Sequence, residues 1–242
     1  MSLDFTSDGF LGGRLTIAQP KTGFRAGHDA VLLAAAVPAK PGERVLELGS
    51  GSGVASLCLA ARVPGLSVRG IELEPELVEL ANKNAERNGV ADRVFFAQGD
   101  TTRLEESGRS FDHVFFNPPF HPDTGQVSPI KARDQARRDQ GDAVARWMLA
   151  ALEATRTGGT VTAILRADRK DDVAEVVRGR GVTIFSLFPH AGEAPKRVLV
   201  RIVKGSDEPV RTAAGLVLHL ADGKPTPEAD AVLRHAAALS LA

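Results

Sequence analysis

Tyrosine is absent from the 242 residues, and tryptophan, cysteine and methionine number one, one and two. Mechanisms that need a tyrosine hydroxyl are therefore excluded. The single cysteine, Cys58, permits neither an intramolecular disulfide nor a cysteine zinc cage, and it reads as a small core residue. The six histidines are scattered, with no H-x-x-x-H pair, so no metal is expected. Neither sign of charge dominates: 30 Lys and Arg stand against 30 Asp and Glu. Bulk electrostatics announce no nucleic-acid partner, and a surface for one must be local. There is no long apolar run for a membrane span, and the N-terminus, with Asp4 and Asp8, has no secretory pattern. The expectation is a cytoplasmic protein with no membrane partner; the composition sets no oligomeric state.

What is present is ordinary for a globular protein: 43% hydrophobic and 25% charged residues. The length suits one domain with additions. Residues 1–43 form an N-terminal cap segment, with a short strand over Leu15–Ala18 and a helix over Ala30–Val37 capped by His28 or Asp29. From residue 44 to 204, strand and helix patterns alternate. Strands are expected at Arg44–Leu48, Ser67–Ile71, Arg93–Ala97, Phe111–Phe116, Thr160–Leu165, Val182–Phe188 and Arg197–Val203. Helices are expected at Val54–Arg62, Pro75–Asn88, Asp142–Arg156 and Asp168–Arg178, with an irregular excursion over 121–141. The pattern predicts an α/β fold: a doubly wound, mostly parallel seven-stranded sheet. The last two strands lack an intervening helix and are expected as an antiparallel hairpin at its edge. Residues 205–242 form a C-terminal strand-helix appendage, with a strand over Leu216–Leu220 and a helix over Pro227–Leu239.

Four strand ends carry chemistry. Glu47-Leu48-Gly49-Ser50-Gly51-Ser52-Gly53 lies between a strand and a helix, where glycines let a ligand approach the backbone. The spacing is G-x-G-x-G after an acid, not the G-x-G-x-x-G that serves a pyrophosphate. An acid at Glu47 suits an ammonium group. Glu72, 19 residues after Gly53, ends the second strand, where a carboxylate accepts from a ribose diol. Gln98-Gly99-Asp100 ends the third, within reach of an adenine amine. Asn117-Pro118-Pro119-Phe120 ends the fourth. It offers a side-chain carbonyl, a stiff turn without N–H groups, a free Pro118 carbonyl and a ring to stack.

In order and spacing, residues 44–204 resemble the class I S-adenosylmethionine-dependent methyltransferases, and Asn117–Phe120 is similar to the [Asn/Asp/Ser]-Pro-Pro-[Tyr/Phe] motif of those that act on planar amines. The resemblance implies S-adenosylmethionine as cofactor, held by Glu47, Gly49, Ser50, Gly51, Gly53, Glu72, Leu73, Gly99, Asp100, Thr101 and Asn117. It implies Asn117, Pro118, Pro119 and Phe120 as the catalytic turn. The same tetrapeptide fits the amines of adenine, cytosine or guanine, a glutamine amide or a small molecule. No separate helical N-terminal domain, large target-recognition region or duplicated core is visible.

The N-terminal segment narrows the choice. Phe10-Leu11-Gly12-Gly13-Arg14-Leu15, Gln19-Pro20, Gly23-Phe24-Arg25 and Asp29–Ala35 look like the bacterial tRNA adenine-N6 methyltransferases that act beside the anticodon of a valine tRNA. That resemblance implies that Phe24, Arg25, His28 and Asp29 cover the methionine end of the cofactor, and that the partner is RNA, a tRNA. Lys131, Arg133, Arg137 and Arg138 cluster after the catalytic turn and are the expected RNA contacts.

Overall fold

The computed structural model describes residues 4–23, 25–104, 111–118, 144–169, 173, 176 and 181–241. The chain opens with an antiparallel hairpin of β1 (Phe5–Phe10) and β2 (Leu15–Pro20). Only β2 was expected. The β1 residues alternate between exposed and half-buried, so no strong apolar pattern marks that strand. Helix α1 (His28–Ala36) follows, and its N-cap is Gly27 rather than His28 or Asp29; Asp29 sits in the first turn.

The core then alternates as β3 (Arg44–Leu48), α2 (Val54–Arg62), β4 (Ser67–Glu72), α3 (Pro75–Arg87), β5 (Val94–Gln98) and β6 (Phe111–Phe116). Helix α4, described over 144–154, precedes β7 (Thr155–Arg166). β8 (Val182–Phe188), β9 (Arg197–Val203), β10 (Arg211–Val217) and helix α5 (Pro227–His235) complete the fold. Val173 and Val176 are helical, within the stretch expected as a helix over Asp168–Arg178. The excursion over 121–141 lies outside the described residues.

The main sheet has eight strands in the order β10-β8-β9-β7-β6-β3-β4-β5. All neighbours are parallel except β7–β9 and β8–β9. Seven strands were expected, with β8–β9 at the edge. β10 adds the eighth and takes that edge, parallel to β8. Its Thr-Ala-Ala-Gly sequence lacks a clear period of two, and its register shifts between Ala213 and Leu216. Of the expected strand over Leu216–Leu220, only Leu216 and Val217 are strand, at the end of a longer one; the rest lies beyond it. β7 also begins earlier than expected. Thr155 starts it, and Gly158-Gly159 lies inside the strand, beside a register shift between Phe111 and His113 of β6. Glycine inside a strand marks such irregularities. The last helix stops at His235, where Ala236 adopts the left-handed region.

β3 is buried on both faces, as a central parallel strand must be. One face of the sheet packs on α1, α2, α3 and α5, through side chains such as Leu33, Leu57, Ala81 and Val232. The other packs on α4 through Val144, Met148 and Ala151. Burial of each large apolar side chain contributes about 1.5–3 kcal/mol. No helix among the described residues is long and apolar enough to cross a membrane.

Candidate active site

β3 has its sequence successor β4 on one side and β6 on the other. Chain direction across the sheet reverses there, and ligands of open α/β sheets bind in the crevice this leaves at the carboxyl ends of the strands. The Gly-rich turn after β3 and Asn117 after β6 flank that crevice, because Leu48 pairs with Phe116.

The turn is folded onto the end of β4. Gly49 N and Ser50 N donate to the Ile71 carbonyl at 2.8 and 3.1 Å, and Gly53 N donates to Ser50 O at 2.8 Å. Glu72 holds the turn from the other side. One carboxylate oxygen accepts from Gly51 N at 2.8 Å; the other accepts from Leu73 N at 2.8 Å and Glu74 N at 3.1 Å. Each carboxylate oxygen has two lone pairs, so the oxygen facing Gly51 keeps room for one more donor. Leu73, beside it, is 59% exposed, an apolar side chain open to a flat ring.

Glu47 is placed differently from its neighbours. Its side chain is buried and accepts from Ser56 N at 3.1 Å and from the Ser56 hydroxyl. Burial pushes the carboxyl up to about 8, against the two bonds from Ser56, which act the other way. The carboxyl thus holds a proton at neutral pH. Asp100 is exposed instead. The Thr102 hydroxyl and Thr102 N both donate to Oδ1, at 2.7 and 2.8 Å, and hold the carboxyl below the usual range. Asp100 and Gly99 border a cavity of about 570 Å³, with Ile71, Gln98 and Leu104. Thr101 is buried behind them.

Two polar atoms at the crevice are buried without a hydrogen-bond partner among the described residues: the Ser50 hydroxyl oxygen and Asn117 Oδ1. Buried acceptors are nearly always satisfied, so orphans of this kind point to a missing ligand. The residues fit a nucleoside cofactor bearing a cationic amino-acid tail: carboxylates at two strand ends, an exposed Leu73 between them and unfilled acceptors beside the Gly-rich turn. Pro118 is buried; Pro119 and Phe120 lie outside the described residues, as do Lys131, Arg133, Arg137 and Arg138.

Of the expected cover residues, Phe24 lies outside the described residues. Arg25 turns toward the N-terminal hairpin, donating to Asp8 at 2.6 Å, Thr6 Oγ1 at 2.7 Å and the Pro20 carbonyl at 2.8 Å. His28 is exposed at the start of α1, and Asp29 pairs with Arg197 Nε at 2.8 Å.

Three residues near the site are not evident from the sequence motifs. Trp147 of α4 covers Gly49, where an added Cβ would lie 2.4 Å from the indole, and it tilts against Phe116 with ring centroids 5.8 Å apart. The lone tryptophan on a helix following the Asn-Pro-Pro segment was the available signal. Ser56 acts on Glu47 from the first turn of α2. Asn84, on the buried side of α3, ties the Gly-rich turn to β2. An Asn-x-x-x-Asn spacing with Asn88 was visible on that amphipathic helix.

A family model described as methyltransferase small domain matches residues 26–162. The tRNA1(Val) (adenine(37)-N6)-methyltransferase of Porphyromonas gingivalis is 30% identical over 236 residues, covering 89% of this chain and 89% of that protein. The protein of the same name from Yersinia enterocolitica is 34% identical over 131 residues, 53% of this chain and about half of its own length, 50%. A crystal structure described as a predicted O-methyltransferase from Agrobacterium tumefaciens superposes with a TM-score of 0.73 at 24% identity, over 87% of this chain and 98% of that one. The last likeness is one of fold.

Proposed function

The chain belongs to the methyltransferase small domain family, and on that premise we propose that it transfers a methyl group from S-adenosylmethionine to the exocyclic amine of an adenine in tRNA. The observation that carries this reading is Asn117 Oδ1, a buried acceptor without a partner among the described residues, at the strand end beside the Gly-rich turn. The relative from Porphyromonas gingivalis, matched over most of both chains, supports adenine in tRNA as the acceptor.

S-adenosylmethionine supplies a methyl group made electrophilic by its sulfonium. The chain has to supply position and polarity. The Glu72 oxygen with a spare lone pair would accept from the ribose diol, Leu73 would offer an apolar face to the adenine, and Asp100 Oδ2 would take the adenine amine. Glu47 and the Ser50 hydroxyl would hold the amino-acid tail.

The acceptor amine is a poor nucleophile, because its lone pair is delocalised into the ring. Asn117 Oδ1 and the Pro118 carbonyl accept its two hydrogens. That favours a pyramidal nitrogen with the lone pair aimed along the transfer path. The gain comes from orientation and preorganised dipoles. The alkylated nitrogen is acidic and loses its proton without a strong base. Phe120, the aromatic residue of the motif, would stack on the base, worth about 1–3 kcal/mol in sites of this kind. A base stacked in a helix cannot enter such a turn, so the target lies in a loop or is flipped.

Incubation of the whole protein with methyl-labelled S-adenosylmethionine and a valine tRNA transcript tests the reading. Label is expected in N6-methyladenosine. Label in protein, in another nucleoside, or nowhere in the RNA overturns it.

A further inference from the structure

The additions at the two ends of the chain meet at one place. Helix α5 packs on the turn Leu11–Gly13, where the Arg234 carbonyl stands 2.8 Å from the position of a Cβ on Gly12. Between them opens a cavity of about 640 Å³, whose walls include Phe10, Gly13, Arg25, His28, His219 and Arg234. That volume suits a ligand the size of a nucleotide. Neither the Gly-rich turn, Glu72, Asp100 nor Asn117 lines it.

The topology puts this cavity on the substrate side of the sheet. β8 and β10 run in the same direction as β6, so His219, just past β10, is at the same sheet edge as Asn117. β9 starts at that edge, and Arg197 at its start holds Asp29 of α1. β9 is two strands from β6 and β10 four. At about 4.8 Å per strand, the cavity lies roughly 10–20 Å along the edge from Asn117, within reach of an RNA chain whose target base is at the turn.

Its chemistry is that of a nucleic-acid site. Arg25, Arg234 and two imidazoles line it; each arginine has a carboxylate partner, Asp8 on Arg25 at 2.6 Å and Asp230 on Arg234 at 3.2 Å, and Gln19 Nε2 also holds Asp8 at 2.9 Å. Phe10 gives a flat ring. His219 Nδ1 lies 3.2 Å from the Pro189 carbonyl; that bond takes Nδ1–H and leaves Nε2 as the acceptor of the neutral ring. The wall is also strained. Leu11, Gly12 and Gly13 have φ of 52°, 66° and 88°, and Leu11 has a Cβ that disfavours that region. Strain of this sort collects at ligand sites. Cations with an interleaved aromatic are the features that hold single-stranded nucleic acid.

We propose that this cavity, built by the N-terminal hairpin and the C-terminal helix, is a second RNA subsite that holds nucleotides flanking the methylated base. The proposal rests on the tRNA reading above for its ligand. The division of labour is then simple. The core motifs position the methyl donor and the target amine, and the two additions grip the RNA chain beside that base.

The test uses the whole protein, the double variant His219→Glu/Arg234→Glu and the variant Phe10→Leu. Binding of a fluorescein-labelled valine tRNA anticodon stem-loop is read by anisotropy over a salt series, and methylation is read separately. S-adenosylmethionine-induced thermal shift reports that each variant is folded. The expected result is a loss of RNA affinity of about tenfold or more in the double variant, with a shallower salt dependence. KM for tRNA should rise while kcat at saturation and cofactor affinity hold. Phe10→Leu keeps the packing and removes the ring, so a loss of affinity there supports the subsite even if the double variant does not fold. Unchanged RNA affinity in folded variants, with methylation intact, overturns the subsite and leaves the function standing. RNA binding that depends on these residues, without methylation, supports the subsite and overturns the function. No RNA binding by the unsubstituted protein overturns both.

Discussion

The side-chain amide of Asn84 pairs with both backbone groups of Ala18: Oδ1 accepts from Ala18 N and Nδ2 donates to Ala18 O, each at 2.9 Å. It imitates the neighbouring strand that β2 lacks on that side. Asn88, one turn further along α3, does the same for Thr16 at 3.0 Å in both directions. Asn84 Nδ2 also donates to Ser52 O at 2.9 Å, so one buried amide fastens the N-terminal hairpin to the Gly-rich turn.

Asn84→Ala should therefore destabilise the protein by on the order of 2–4 kcal/mol, because it leaves three backbone groups unpaired in a buried place. Urea unfolding measures it. Asn88→Ala, at a more exposed position, should cost less. S-adenosylmethionine affinity should fall in the Asn84 variant and hold in the Asn88 variant. Equal effects of the two would show that the tie to Ser52 is without consequence.

Asn117→Ala should lower the methyl-transfer rate by about 10²–10³-fold, the size of effect seen when one preorganised polar group is removed from a reacting centre. Cofactor affinity should change little. Single-turnover kinetics with saturating tRNA, set beside calorimetric binding of S-adenosylmethionine, separates the two. Near-normal turnover would refute the role given to this side chain.

Glu47 makes stability depend on pH. Its carboxyl sits at about 8 in the folded protein and near the ordinary 4.5 in the unfolded chain. The folded state keeps the proton across that interval. The contribution is complete below the unfolded value and is lost as pH rises through the folded one, at up to about 1.4 kcal/mol per pH unit. Glu47→Gln should abolish that decline, and urea midpoints from acid to alkaline pH report it. A cationic tail arriving beside the carboxyl would expel the proton. Calorimetry at neutral pH in buffers of differing ionisation enthalpy should then show proton release for Glu47 and none for the Gln variant.

Gly70 of β4 leaves no room for a side chain. A Cβ there would lie 2.3 Å from the Phe96 ring and 2.9 Å from the Ser50 Cβ. Gly70→Ala should cost about 1–3 kcal/mol by overpacking and disturb the Gly-rich turn through Ser50. Adding Phe96→Leu should recover part of the loss. A double-mutant cycle by thermal or urea unfolding would show the coupling.

The candidate site was legible where it is local in sequence. Glycines after a β-type run, acids closing the next two strands and Asn-Pro-Pro closing a fourth can be read from the chain, because strand ends are set by short-range pattern. β10 was legible only in part, because a Thr-Ala-Ala-Gly run owes its pairing to β8 rather than to its own propensity. The start of β7 was hidden for a related reason. A Gly-Gly pair reads as a turn unless a register shift in a neighbouring strand accommodates it.

By itself the sequence determined the α/β class, the order of strands and helices in the core, and the four strand ends that make up the candidate site, since each depends on residues within a few positions of one another. Tertiary structure decided the remainder. It buried Glu47 against Ser56 and set Trp147 over Gly49. It gave the edge of β2 to two asparagines and closed a cavity between Phe10 and Arg234. Most of those relationships join residues tens to hundreds of positions apart. They come from how the elements pack, which no local pattern encodes.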